Sequence, residues 1–164
     1  MDVIRKFSAH LGILKDVQIL VVDNDYDSRY LYSILLEELG AKVTSASSIE
    51  QALSLLDWLV PDMMISEINF KGERVDPLMQ RLKYLAIANG KSIPILVTST
   101  CPTKSLDQYM QVGVEAYLLK PIYPDDLVFN IWSLLLQVKI SHPPTIQDWS
   151  AKQTIDQKPG NELA

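Results

Sequence analysis

The stretch PDMMISEINF, residues 61–70, decides how the rest of the chain is read. Met63-Met64-Ile65-Ser66 is too short for a helix and apolar on both faces, the pattern of a strand buried in the middle of a sheet. It delivers a carboxylate, Glu67, to its carboxyl end. Four other runs repeat the pattern: VQILVVD (17–23), AKVTSA (41–46), SIPILVTS (92–99) and VEAYLLK (114–120). Between them lie segments with helical spacing. DSRYLYSILLEELG (27–40) stops at Gly40, and SIEQALSLLDWL (48–59) follows a capping box expected from Ser47 and Glu50. PLMQRLKYLAIANG (77–90) opens on Asp76-Pro77, TKSLDQYMQVG (103–113) reads as a fourth helix, and Pro124-Asp125-Asp126 starts a last one running to about Lys139. Five β-α units in succession require a parallel sheet with right-handed crossovers and helices on both faces.

Composition agrees with one globular α/β domain. Of 164 residues, 48% are hydrophobic and 21% charged, enough apolar material for a full core. The net charge of −5 and the lack of a Lys/Arg run argue against nucleic-acid binding. No run reaches the roughly 18 apolar residues of a membrane span. The opening MDVIRKFSAHLGILKD carries charges inside its apolar part, unlike a signal peptide. Cys101 is the only cysteine, so no intrachain disulfide forms and a cytoplasmic setting is expected.

In an open parallel sheet the ligand site lies beyond the carboxyl ends of the strands. Asp23, Asn24 and Asp25 end the first strand, Glu67 the third, Thr98 and Ser99 the fourth, and Lys120 the fifth. Every reactive-looking group falls on one edge. In order and spacing, VQILVVDNDYDSR, PDMMISEINF, PILVTST and AYLLKPIYPDDL resemble the response-regulator receiver domains of bacterial two-component signalling. The resemblance spans about Val17 to Lys139. It implies a flavodoxin-like (βα)5 fold with strand order 2-1-3-4-5, and an aspartate that accepts a phosphoryl group beside Mg²⁺. Position by position, Asp23 matches the first acid of the metal-binding pair, Thr98 the switch hydroxyl and Tyr117 the switch aromatic. Lys120 matches the site lysine, Pro121 follows it where the family has a cis peptide bond, and Asn69 would offer the metal its backbone carbonyl.

Two positions depart from that pattern. Glu67 stands at the phosphoacceptor aspartate and Asn24 at the second acid. The extra methylene of Glu67 carries its oxygens over about 1 Å further into the site, a misplacement on the scale that costs a hundredfold in rate. Asn24 removes a charge from a site that must hold a hard dication through oxygens. The expectation is a pseudo-receiver in which Asp23, Glu67 and Asn69 hold Mg²⁺ weakly or not at all, with no other cofactor and no enzyme activity. Two roles stay open for Glu67. It pairs with Lys120 and fixes the loops, or it accepts bonds from Thr98 and Lys120 and imitates the phosphorylated state. The competing readings are a receiver phosphorylated on Glu67 or a neighbouring acid, and an α/β hydrolase-type enzyme. The second lacks a nucleophile elbow or Gly-rich phosphate loop.

Other groups read blandly. Cys101 is expected to pack, Asp25 to cap a helix, and His10 and His142 to be solvated. The last helix is less bland. Leu127, Ile131, Leu134, Leu135 and Val138 form a core stripe, while Phe129, Trp132, Leu136 and Ile140 form a second apolar stripe on the side away from the core. In receivers this region docks partners. Residues 1–16 are expected to form an amphipathic extension whose Ile4, Phe7, Leu11 and Leu14 offer a cover for that stripe, 17–140 the receiver-like domain, and 141–164 a flexible tail. The whole is expected to stand alone and act by protein contact, with a sensor kinase, a downstream effector or a second copy docking on the last helix.

Overall fold

The computed structural model describes residues 12–100 and 113–141, of which 140 and 141 by their backbone alone. The strands are β1 (Gln18–Val22), β2 (Lys42–Ala46), β3 (Met63–Glu67), β4 (Ile95–Ser99) and β5 (Val114–Leu119). The helices among the described residues are α1 (Tyr26–Glu38), α2 (Ile49–Leu55), α3 (Asp76–Ala88) and α4 (Pro124–Ser141). The strands pair in parallel in the order β2-β1-β3-β4-β5, the expected arrangement. The helix expected over 103–113, the seam through Ile4, Phe7 and Leu11, the tail, His10, His142 and Cys101 lie outside the described residues.

Period-two alternation splits the core into two layers. Leu20, Val22, Met64, Ile95 and Val97 pack with α2 and α3 residues such as Ala52, Leu78 and Leu82. Ile19, Val21, Met63, Ile65 and Leu96 pack with Tyr32 and Leu36 of α1 and Leu127, Val128, Ile131 and Leu134 of α4. Strands covered on both faces are buried along their whole length, as β3 and β4 are; their first residues are apolar and their carboxyl ends carry the buried polar groups Ser66, Glu67, Thr98 and Ser99.

The caps adjust the expected boundaries. The cap of α2 is Ser48 rather than Ser47: Gln51 N–H donates to Ser48 Oγ at 3.1 Å, and Gln51 Oε1 accepts from Ser47 N–H at 2.8 Å. The capping bonds fall one residue later and use Gln51 in place of Glu50, and the Gln51 side chain reaches the N–H of Ser47, one residue before the cap. At α3 the N-cap is Val75, without a side-chain bond, and Asp76 sits inside the first turn. The folded body also begins before Val17. Leu14 is 1% exposed within the α1/α4 core layer, and its N–H donates to Leu39 O at 3.0 Å. Gly40 makes that possible. It closes α1 at φ +95, and a Cβ there would lie 3.2 Å from Lys15 Cα.

Candidate functional site

Four strand ends and the loop after β3 build the site. β1 ends at Val22, so Asp23 sits at the mouth of the sheet with 1% exposure; β3 ends on Glu67 itself, 3% exposed. Lys120 follows β5, where its N–H donates to Ser99 O at 2.7 Å and a cis bond joins it to Pro121 as the resemblance implied. Its ammonium lies 2.7 Å from Asp23 Oδ2 and 3.0 Å from Glu67 Oε2. One partly buried cation thus joins two buried carboxylates. Burial works against the charge on Lys120, yet the hydrogen bonds and attraction of Asp23 and Glu67 outweigh it and hold its pKa above the ordinary value.

The remaining oxygens are also engaged. Glu67 Oε1 accepts from the backbone N–H groups of Ile68 at 2.7 Å and Asn69 at 2.9 Å, so the carboxylate folds back onto its own loop. Asp23 Oδ1 accepts from Asp25 N–H at 2.8 Å. Asp25 itself caps α1, accepting from Ser28 N–H at 2.8 Å and Ser28 Oγ at 2.7 Å; these bonds lower its pKa. The Asn24 amide faces Asn69 O at 3.4 Å, where a metal would need a bare carbonyl. Mg²⁺ demands near-octahedral oxygen donors at close range. As arranged, the Asp23, Glu67 and Asn69 oxygens are engaged by an ammonium and by N–H groups.

Asp23, Asn24, Glu67, Asn69 and Lys120 come together as the sequence suggested; Thr98 does not join them by hydrogen bonding. It pairs in register with Glu67 and is fully buried, but its Oγ1 has no hydrogen-bond partner among the described residues. The hydroxyl that enters the network is Ser99, whose Oγ accepts from Asn69 Nδ2 at 3.0 Å. Alternation explains the difference. Leu96 and Thr98 share the α1/α4 side of β4, whereas Val97 and Ser99 share the α2/α3 side, the layer against which Tyr117 packs. Arg29 was also missed: its Nη1 donates to Asp23 O at 2.6 Å, bringing a second cation to the rim. The signal was available, since Arg29 lies in the first turns of the helix that follows Asp23. Among the described residues no group of three or more His, Cys, Asp or Glu side chains is gathered as a metal site.

A model of the response regulator receiver domain matches residues 19–131, more than half of the chain. The chain belongs to the response regulator receiver family. This receiver is 32% identical over 132 residues to an uncharacterized 14.6 kDa protein of Leptolyngbya boryana, covering 80% of this chain and 96% of that one. It is 30% identical over 138 residues to the response regulator SaeR of Staphylococcus aureus, but spans only 56% of SaeR. Among solved structures it resembles a CheY-like receiver domain protein from Methanospirillum hungatei (TM-score 0.69, 19% identity, 77% of this chain and 99% of that one). A two-component response regulator from Clostridium difficile gives a TM-score of 0.65 at 21% identity, covering 74% of this chain and 97% of that one. At such identities the structural likeness speaks to the fold alone. Membership in the family makes this receiver a signalling module of two-component phosphorelays rather than an enzyme, working with kinase and effector partners. No helix among the described residues is long and apolar enough to cross a membrane.

Proposed function

We propose that this receiver signals by protein contact without phosphoryl transfer, its site closed by an internal cation. The observation that carries this reading is the double bridge of Lys120 to Asp23 and Glu67, with the second oxygen of each carboxylate already bound to backbone N–H groups. A phosphoacceptor needs a free carboxylate oxygen aligned for in-line attack, with the metal neutralising the incoming charge. Here Glu67 serves as a strut between the β3 end and Lys120. The missing bond to Thr98 favours that role over imitation of a phosphoryl group. Mg²⁺ binding at Asp23, Glu67 and Asn69 is accordingly weak or absent. The outward stripe of α4, containing Phe129, Trp132 and Leu136, is the proposed contact face for a second copy.

Intact mass after incubation with acetyl phosphate and Mg²⁺ tests the reading. The expected result is no gain, together with no saturable Mg²⁺-dependent shift of the Asp23 and Glu67 signals below the millimolar range. The double variant Glu67→Asp, Asn24→Asp should gain one phosphoryl group. Stoichiometric labelling of the unaltered chain would overturn the proposal.

A further inference from the structure

Asn69 makes three contacts to three different strand ends. Its N–H donates to Glu67 Oε1 at 2.9 Å, tying the loop to the end of β3. Its carbonyl faces the Asn24 amide at 3.4 Å, reaching the loop after β1. Its own amide Nδ2 donates to Ser99 Oγ at 3.0 Å, reaching the last residue of β4. Glu67 and Ser99 are buried, so bonds made there are shielded from competing water. We infer that Asn69 is a positioning residue, a clasp that ties the carboxyl ends of β1, β3 and β4 into one arrangement and orients the Ser99 hydroxyl with neither metal nor phosphoryl group. This deepens the reading above, on which it rests for its functional meaning.

The sequence makes each arm specific. Glu67 is long enough to fold back and accept the Asn69 N–H while its other oxygen reaches Lys120. Asn24 contributes a donor where an aspartate would present only acceptors and repel the carbonyl dipole of Asn69. At position 69 the carbonyl and the N–H are backbone groups, and the asparagine adds the Nδ2 donor, so a single side chain couples two loops 30 residues apart in sequence. The two positions that depart from the receiver pattern are thus two of the clasp's own contacts.

A double-mutant cycle read by hydrogen exchange tests the clasp on the full chain. Backbone amides of residues 67–70 and 97–100 are followed in the unaltered protein, in Asn69→Ala, in Ser99→Ala and in the double variant. Loss of one such bond should raise exchange in both loops by roughly two- to tenfold in either single variant. The double variant should exchange no faster than the faster single one, because both substitutions remove the same bond. Single-variant effects confined to the mutated loop, or effects that multiply in the double variant, would overturn the inference. Asn24→Leu provides a second arm, and it should loosen the 67–70 amides in a fold that retains Asn69; unchanged exchange there also counts against the clasp. Phosphoryl labelling with a coupled cycle would sink the proposed function and leave the clasp standing; an uncoupled cycle without labelling would do the reverse.

Discussion

Lys120 and Thr98 show, side by side, how a single group's environment decides what it does. The Lys120 side chain is 13% exposed and lies between two carboxylates that are almost fully buried. Removing it as Lys120→Met leaves Asp23 and Glu67 facing each other uncompensated. The expected loss at neutral pH is about 3–5 kcal/mol by urea denaturation. The pH profile supplies a second check. Because folding raises the Lys120 pKa, its stabilising charge contribution is complete below the ordinary value of 10.5 and is lost as pH rises through the elevated folded value. The unaltered protein should therefore lose stability steeply on that alkaline side, and Lys120→Met should show a shallower fall there. Thr98 is the opposite case: a buried hydroxyl with no partner costs free energy and contributes nothing. Thr98→Val should be neutral or stabilising, by up to about 1–2 kcal/mol. Thr98→Ser keeps the hydroxyl and loses a buried methyl, so it should cost about 1 kcal/mol. A large loss on Thr98→Val would restore the role that the resemblance assigned to Thr98. The sequence put Asp23, Glu67 and Lys120 at one edge correctly because strand ends are legible from apolar runs. Ser99 against Thr98 was not legible, because neighbouring residues of one strand face opposite layers and a quoted motif does not say which layer carries the network.

At the scale of elements, the same two periodicities separate what sequence reveals from what it hides. Short apolar runs, with alternation at residues 41–46, sufficed for five strands, and the acids and lysine at their ends located the site. The strand order follows from family likeness and not from any run, since register depends on pairing across the sheet. Boundaries moved where polar neighbours compete for one cap: the sequence pattern points to Ser47, and the bond from Gln51 N–H selects Ser48. Helix α4 carries two apolar stripes in its sequence, and Leu127, Ile131 and Leu134 of the inner one are buried. Val128 joins them at 6% exposure, which the stripe had omitted. Leu135 and Val138 are half-buried beside it. The short N-terminal approach was the least legible element. Leu14 looked like part of a separate seam, yet a left-handed turn at Asp16 and the closeness permitted by Gly40 fold it into the core.

For the molecule as a whole, the unsettled balance lies on the outer face of α4. Phe129 is 67%, Trp132 42% and Leu136 39% exposed, three large apolar side chains on one helix. Trp132 and Leu136 also line a groove whose other wall is Ile13, Leu14 and Val17. Apolar side chains gathered in this way tend to mark contact surfaces. Complete burial of each contributes about 1.5–3 kcal/mol, enough for two or three to matter after the entropic cost of association. A second copy presenting the same face gives a closed, self-complementary contact, the commonest form of soluble oligomer. Sedimentation should therefore find the full chain dimeric and Trp132→Glu a folded monomer with an unchanged far-ultraviolet spectrum. The competing cover is the N-terminal extension, and the appropriate truncation removes residues 1–11 only, because deleting Leu14 would open the core and mimic a loss of packing. If the full chain is monomeric and the truncated chain alone self-associates, the extension and not a second copy covers the stripe. If all three remain monomeric at high concentration, the outer face of α4 is not a dimer surface and that part of the proposal fails.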